Sequence, residues 1–547
     1  MMKKFGWPGF IALLIAFVLW QQGCEIPGLG RNVKLAVVVV VDQMRADHLT
    51  RFAGLYQGGL ARLLQEGRVY TNAHHDHAIT VTAAGHATIA TGSFPSHHGV
   101  ISNSWFDREE QREVYCSEDT SARVLGYPDQ EGRSSRRLLV EALGDWMKKK
   151  WPQSKVYAVS RKDRPAIMMA GKRPDGVFWY NSRDGRFVTS EFYAQTYPAW
   201  VDSFNNSSPA DRYLETGWTK SRPEEAYFVS REDKFAHEFD GIHTTFPHQF
   251  PGEAGRPNAA YYRALSTSPF SDELVLEFAK TLITHEGLGK DGIPDVLFIG
   301  CSAADAIGHA FGPLSQESED HFLRLDDYLG HFMNFLDETV GKDRYVLVLS
   351  SDHGVLPLPE ELARRGFESR RLPFSDMMAQ VNQAVGKVIR TYNLKGNPIK
   401  GFSNGFLLDD DVIAASGVGR KDIEDAIAAA LKELPFIEDV YTYSEMLQTN
   451  GQDERPFLEQ YRRSFHPQRS ADLVPRLKPY YLLTSRAQGT SHGSPYEYDT
   501  HVPIIFIGSG VPPGRIHERV RTVDIAPTLA ALLGVDIPAE VDGNALF

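Results

Sequence analysis

Cysteine is nearly missing: 547 residues contain three, Cys24, Cys116 and Cys301. This excludes a disulfide framework as the source of the fold, which hydrophobic burial must hold instead. Cys116 and Cys301 read as two buried thiols, with a single bridge between them as the alternative. A basic excess is missing too. Lys plus Arg number 58 against 70 Asp plus Glu, a net charge of -12, which excludes a general affinity for nucleic acid or an anionic membrane surface. Any anionic small molecule, nucleotides included, must be held by local cations. The chain has no internal repeat or low-complexity tract, and no apolar run of membrane-spanning length. The longest, Phe5 to Trp20, follows Lys3 and Lys4 and is short for a span. Residues 1–24 read as a secretory signal, which places the body of the chain, residues 33–547, outside the cytoplasm, periplasmic or secreted. Cys24 after Gly23 offers a lipoprotein attachment point, although Gln21 stands where such signals carry Leu. An uncleaved N-terminal anchor is the alternative.

What is present is ordinary globular material, 42% hydrophobic and 23% charged, enough for one large domain with insertions. Five apolar runs are far apart: "KLAVVVVVD", "KVYAVS", "PDVLFIG", "RYVLVLSSDHG" and "HVPIIFIG". Runs so uniformly apolar suit strands of a parallel sheet covered on both faces. Helical patterns fall between some of them, in "SRRLLVEALGDWMKKK" and "DHFLRLDDYLGHFMNFLDETV". The expected architecture is an open α/β sandwich with its functional residues at the carboxyl ends of the strands. Two irregular stretches, near 170–275 and 356–488, read as insertions over that active face. The second contains a helix over "KDIEDAIAAALKELP".

The strand ends carry chemistry. Asp42 follows five valines; alone it would read equally well as a helix cap. After "VLFIG", Asp305 and His309 lie four residues apart, so a helical turn presents both on one side. After "YVLVLSS", Asp352 and His353 are adjacent, and His492 sits in a glycine-flanked turn before the last run. Three Asp and three His at or near strand ends form two ligand sets for divalent metals, each with room for substrate, as in catalytic zinc sites. The stretch "ITVTAAGHATIATG" supplies Thr80, Thr82, Thr88 and Thr91. Metal coordination activates such a hydroxyl as a nucleophile, and any of the four qualifies on residue type. Asn103, Lys162 and Arg164 supply donors for phosphoryl oxygens.

These motifs together, "VVDQMRAD", "TVTAAGHATIATGSFPSHHGVISNSWFD", "SRKDR", "DAIGHAFGP", "SSDHG", "TSHGSPYEYDTHVPIIFIG" and "TVDIAPTLAALLG", resemble the alkaline phosphatase superfamily. The resemblance runs from about Lys34 to the C-terminus and is nearest to the bacterial secreted zinc phosphatases with a threonine nucleophile. It implies an alkaline-phosphatase-like α/β/α sandwich and selects Thr82, which precedes "AAGHA", as nucleophile. It implies that Asp305, His309 and His492 hold one zinc, and that Asp42, Asp352, His353 and the Thr82 oxygen hold the other. Asn103, Lys162 and Arg164 would contact the non-bridging phosphoryl oxygens, while His86 is structural and His501 unassigned. The implied reaction is phosphomonoester hydrolysis through a phosphothreonine. The alternatives are a phosphodiesterase or nucleotide pyrophosphatase, an enzyme acting on both ester classes, or a non-catalytic ester-binding protein on the same fold. The sequence disfavours a sulfatase, since no Cys or Ser followed by x-Pro-x-Arg stands at Thr82.

Overall fold

The computed structural model describes residues 32–253, 255–448 and 455–547. The signal-like segment and Cys24 lie outside them, and among the described residues no helix is long and apolar enough to cross a membrane.

The strands of the central sheet are β1 (Leu35–Val41), β2 (Arg68–His74), β3 (Val156–Ser160), β4 (Gly176–Asn181), β5 (Arg186–Val188), β6 (Asp295–Cys301), β7 (Tyr345–Ser350), β8 (His501–Gly508), β9 (Gly514–Ile516) and β10 (Val520–Arg521). Their spatial order is β9-β2-β8-β7-β1-β6-β3-β4-β5, with β10 beside β2. Strands β7, β1, β6, β3 and β4 are mutually parallel. Strand β1 shows why its sequence is so uniformly apolar. Leu35, Val37, Val39 and Val41 enter the core on one face of the sheet, and Ala36, Val38 and Val40 enter the core on the other. Neither face tolerates a polar side chain.

The run at 501–508 departs from the expected parallel arrangement: β8 is antiparallel to both β7 and β2. The chain leaves the sheet at the carboxyl end of β7, builds the second irregular stretch, and re-enters from that same end. A parallel return would need a crossover to the opposite end. The helix expected over 135–150 is also shorter than its pattern, covering Leu143–Lys150. The Asp145 carboxylate accepts the Ala142 N–H at 2.9 Å and fixes the start there.

Four helices place site residues or pack behind them: α1 (Thr82–Thr91), α2 (Asp163–Ala170), α3 (Ala303–Phe311) and α4 (Gln316–Leu336). The stretch near 356–488 includes a four-stranded sheet (Ile399–Phe402, Phe406–Leu408, Leu473–Leu477, Ile437–Thr442) and a hydrophobic core of its own around Met377, Phe406, Ile427 and Leu431. Cys116 and Cys301 are free and buried and belong to the cores on opposite faces of the sheet. The buried-thiol reading therefore stands, and burial pushes the Cys116 thiol up to about 12.

Candidate active site

Each parallel strand delivers a polar side chain as it ends. Asp42 leaves β1, and Gln43 after it adopts a left-handed backbone with φ 71°, which turns the chain back over the sheet. The Gln43 N–H donates to Asp352 Oδ1 and its Nε2 donates to Asp305 Oδ1, both at 3.0 Å. One residue thus ties together the ends of β1, β6 and β7. Helix α3 starts two residues beyond β6 and carries Asp305 and His309 one turn apart.

All six expected ligands converge. His309 Nε2 lies 3.2 Å and His492 Nε2 3.6 Å from Asp305 Oδ1. His353 Nε2 lies 3.3 Å from Asp352 Oδ2 and 3.5 Å from Asp42 Oδ1, and its ring stacks on His492 at 3.5 Å. Two sets have donor atoms mutually within 4.8 Å, Asp42/Asp352/His353 and Asp305/His353/His492. His353 is common to both, with His309 alongside Asp305.

The donor set fits divalent cations. Each histidine donates Nδ1–H to a backbone carbonyl: His309 to Thr490 at 2.8 Å, His353 to Gly354 at 2.9 Å and His492 to Thr80 at 2.8 Å. That tautomer turns a bare Nε2 toward the carboxylates, the arrangement of metal-ligating imidazoles with oriented rings. Asp42 Oδ1, Asp352 Oδ2 and His353 Nε2 are buried with no hydrogen-bond partner. Two of the three carboxylates share one ammonium, Lys162 Nζ, at 2.6 Å from Asp42 Oδ2 and 2.5 Å from Asp305 Oδ2. Burial, with Asp305 and Asp352 alongside, raises Asp42 to about 6. Burial also raises Asp305, but Lys162 and His309 outweigh it and hold that carboxyl well below the usual range. Burial keeps His353 neutral, as a ligand must be.

Thr82 is the first residue of α1 and almost fully buried. The other three threonine hydroxyls are engaged: Thr80 donates to Ser494 O at 2.9 Å, Thr88 pairs with His98 at 3.1 Å, and Thr91 donates to Ala87 O at 2.7 Å. Among the described residues Thr82 Oγ1 has no hydrogen bond, so it alone is uncommitted. Asn103 Oδ1 accepts the Ala83 N–H at 2.9 Å, which sets that amide against the same helix start. His86 Nδ1 donates to Thr82 O at 2.8 Å, and the same nitrogen packs 3.1 Å from Asp352 Oδ2 without a hydrogen bond to it. Gly85 is required there, because a Cβ would collide with the Asp352 carbonyl. Lys162 caps α2 and Arg164 lies in its first turn, where Arg164 Nη1 donates to the Tyr115 hydroxyl at 3.2 Å. His501 points away from the cluster, bonding Thr71 O at 3.0 Å and stacking on His74.

Sequence reasoning missed Gln43, Tyr115 and Asn404 as contributors. Asn404 accepts from Ser102 Oγ at 3.0 Å and donates to Ser104 O at 2.7 Å, bracing both neighbours of Asn103 from across the fold. Gln43 lies within a quoted motif; Asn404, in an irregular stretch, gave no local signal. A further group, Asp240, His243 and His248, is also closely spaced. There His243 Nε2 accepts the Gln249 N–H, so the neutral ring carries its proton on Nδ1 and that nitrogen is closed to a cation.

A mixed, mostly parallel sheet between helical layers, with carboxylates and imidazoles converging at its strand exits, defines the alkaline phosphatase fold. The chain belongs to the type I phosphodiesterase / nucleotide pyrophosphatase family, which it matches over residues 36–497. Within it the chain groups with bacterial alkaline phosphatases. It is 34% identical to alkaline phosphatase PhoV of Synechococcus elongatus over 96% of this chain and 94% of that protein. It is 33% identical to alkaline phosphatase PafA of Elizabethkingia meningoseptica over 94% of each. The crystal structure of wild-type PafA superimposes with a TM-score of 0.86 at 32% identity, covering 94% of this chain and 98% of that one. The resemblance read from the motifs is borne out, and the chain is an enzyme of this phosphatase group.

Proposed function

We propose that the protein hydrolyses phosphate monoesters through a phosphothreonine on Thr82, with two zinc ions held by Asp42, Asp352, His353 and Thr82 on one side and by Asp305, His309 and His492 on the other. The observation that carries this reading is the convergence of three Nε2-presenting histidines with three carboxylates. When bound, the metal ions supply positive charge and Lewis acidity that phosphoryl transfer needs.

The chain's own residues do the rest. Thr82 Oγ attacks phosphorus in line; a new Oγ–P bond forms as the P–O bond to the alcohol breaks, and the alcohol leaves with a proton. Water then cleaves the phosphothreonine, restoring the hydroxyl and releasing inorganic phosphate. Asn103, Lys162 and Arg164 meet the equatorial oxygens, a preorganised electrostatic contribution. The backbone at the start of α1 adds a helix N-terminus to the same anionic centre. Lys162 already sits between two acidic groups, so its ammonium is positioned before substrate arrives. The reaction takes place outside the cytoplasm, in the periplasm or after secretion.

The family match favours a second reading, hydrolysis of diesters or pyrophosphates. The two differ at the clamp, because a monoester has one more charged oxygen to bind. Lys162→Ala and Arg164→Ala are each expected to lower kcat/KM for an aryl phosphate monoester by about 100-fold and for the matching diester by about 10-fold or less. Equal losses on the two substrates would reject the monoester clamp.

A further inference from the structure

Beside the clamp a cavity of about 460 Å³ opens between the end of β3, the end of β4 and the strands near 115–133. Its wall carries four cations, Arg133, Arg161, Lys162 and Arg164, against two carboxylates, Glu131 and Asp163. Three of the four cations are already engaged. Lys162 lies between Asp42 and Asp305, Arg164 donates to the Tyr115 hydroxyl, and Arg133 Nε donates to Asp163 Oδ2 at 2.9 Å. Arg161 is different: it makes no hydrogen bond or ion pair with any described residue, and its Nε is shielded from solvent and unpartnered. Asp305, Asp42 and Asp272 act on it only at longer range.

Arg161 is partly buried, with only Nε shielded and its two Nη groups open to the cavity, and a planar fork so placed is matched by an oxyanion that accepts two of its hydrogens. The reacting phosphoryl group already has Asn103, Lys162 and Arg164, so Arg161 is left for a second anionic group on the same molecule.

We propose that Arg161 and this cavity form a subsite for a second phosphoryl group, which gives the enzyme a preference for small bisphosphates over otherwise identical monophosphates. This rests on the reading of the site as a phosphomonoesterase.

The test compares fructose 1,6-bisphosphate, fructose 6-phosphate and phenyl phosphate on the metal-loaded wild type and on Arg161→Gln. The expected result is a loss of about 10- to 100-fold in kcat/KM on the bisphosphate, with the other two within about twofold. Arg161→Lys, which keeps the charge but not the fork, is expected to fall between. An equal loss on all three substrates would overturn the subsite, because Arg161 would then act through Asp42 and Asp305 on every substrate. No loss on any would overturn it as well. If the wild type turns over none of the three, the phosphomonoesterase reading fails by itself. Calorimetric binding of fructose 1,6-bisphosphate and fructose 6-phosphate to the two proteins then decides the subsite: a loss confined to the bisphosphate supports it, and unchanged binding rejects it. Should Arg161→Gln not fold, Arg161→Lys carries the same comparison.

Discussion

Thr82→Ala is expected to lower kcat on an aryl phosphate by about 10³-fold or more while leaving the protein folded. The two halves of this expectation have separate causes. Chemistry is lost because no neighbouring hydroxyl can substitute: Thr80, Thr88 and Thr91 are each committed to a hydrogen bond elsewhere. Stability is kept because Thr82 occupies the first helical position, Val81 being the cap, and its hydroxyl makes no hydrogen bond with any described residue that the substitution would break. Alanine is also the better helix former, so the change in stability should stay below about 1 kcal/mol. Thr82→Ser, which keeps a hydroxyl, is expected to retain measurable turnover. The measurements are kcat and the thermal midpoint on the same metal-loaded preparations. Turnover near wild type in folded Thr82→Ala would remove this residue from the nucleophile's role.

Removal of metal is expected to have an effect as large, on both activity and stability. Asp42, Asp305 and Asp352 are buried together, and only the first two contact an ammonium, that of Lys162; such crowding of like charge is unfavourable until cations are added. Exhaustive chelation should therefore abolish turnover and lower the thermal midpoint by several degrees, because an ion held at about 1,000 times its Kd contributes about 4 kcal/mol per site. Returning zinc should restore both, with elemental analysis giving two ions per chain. A chelated protein with no metal, full activity and an unchanged midpoint would contradict the assignment of these six side chains.

The parts of the molecule legible in the sequence are those governed by local rules. Five consecutive valines announce a strand buried on both faces, and Leu35 to Val41 is one, its side chains shared between two cores. Carboxylates and imidazoles soon after such runs announce strand exits, and the fold gathers Asp42, Asp305, His309, Asp352 and His353 there, joined by His492 from the turn before β8. What stayed hidden depends on partners hundreds of residues away. Gln43 works through carboxylates at 305 and 352, and Asn404 through Ser102 and Ser104; nothing within a few residues of either records those contacts. The direction of β8 was hidden for a similar reason, since an apolar run reads the same in either sense. Among the four threonines, residue type left the choice open. The structure separates them by what their hydroxyls already hold.

The most direct measurement is kcat/KM for phenyl phosphate and for the matching methyl phenyl diester on one zinc-loaded preparation, beside a chelated control. The expected result is a strong monoester preference that disappears on chelation and returns with zinc. A diester preference on the same preparation would contradict the monoesterase reading, and would mean that the segments around 170–275 and 356–488, not the Lys162 and Arg164 clamp, set the substrate class.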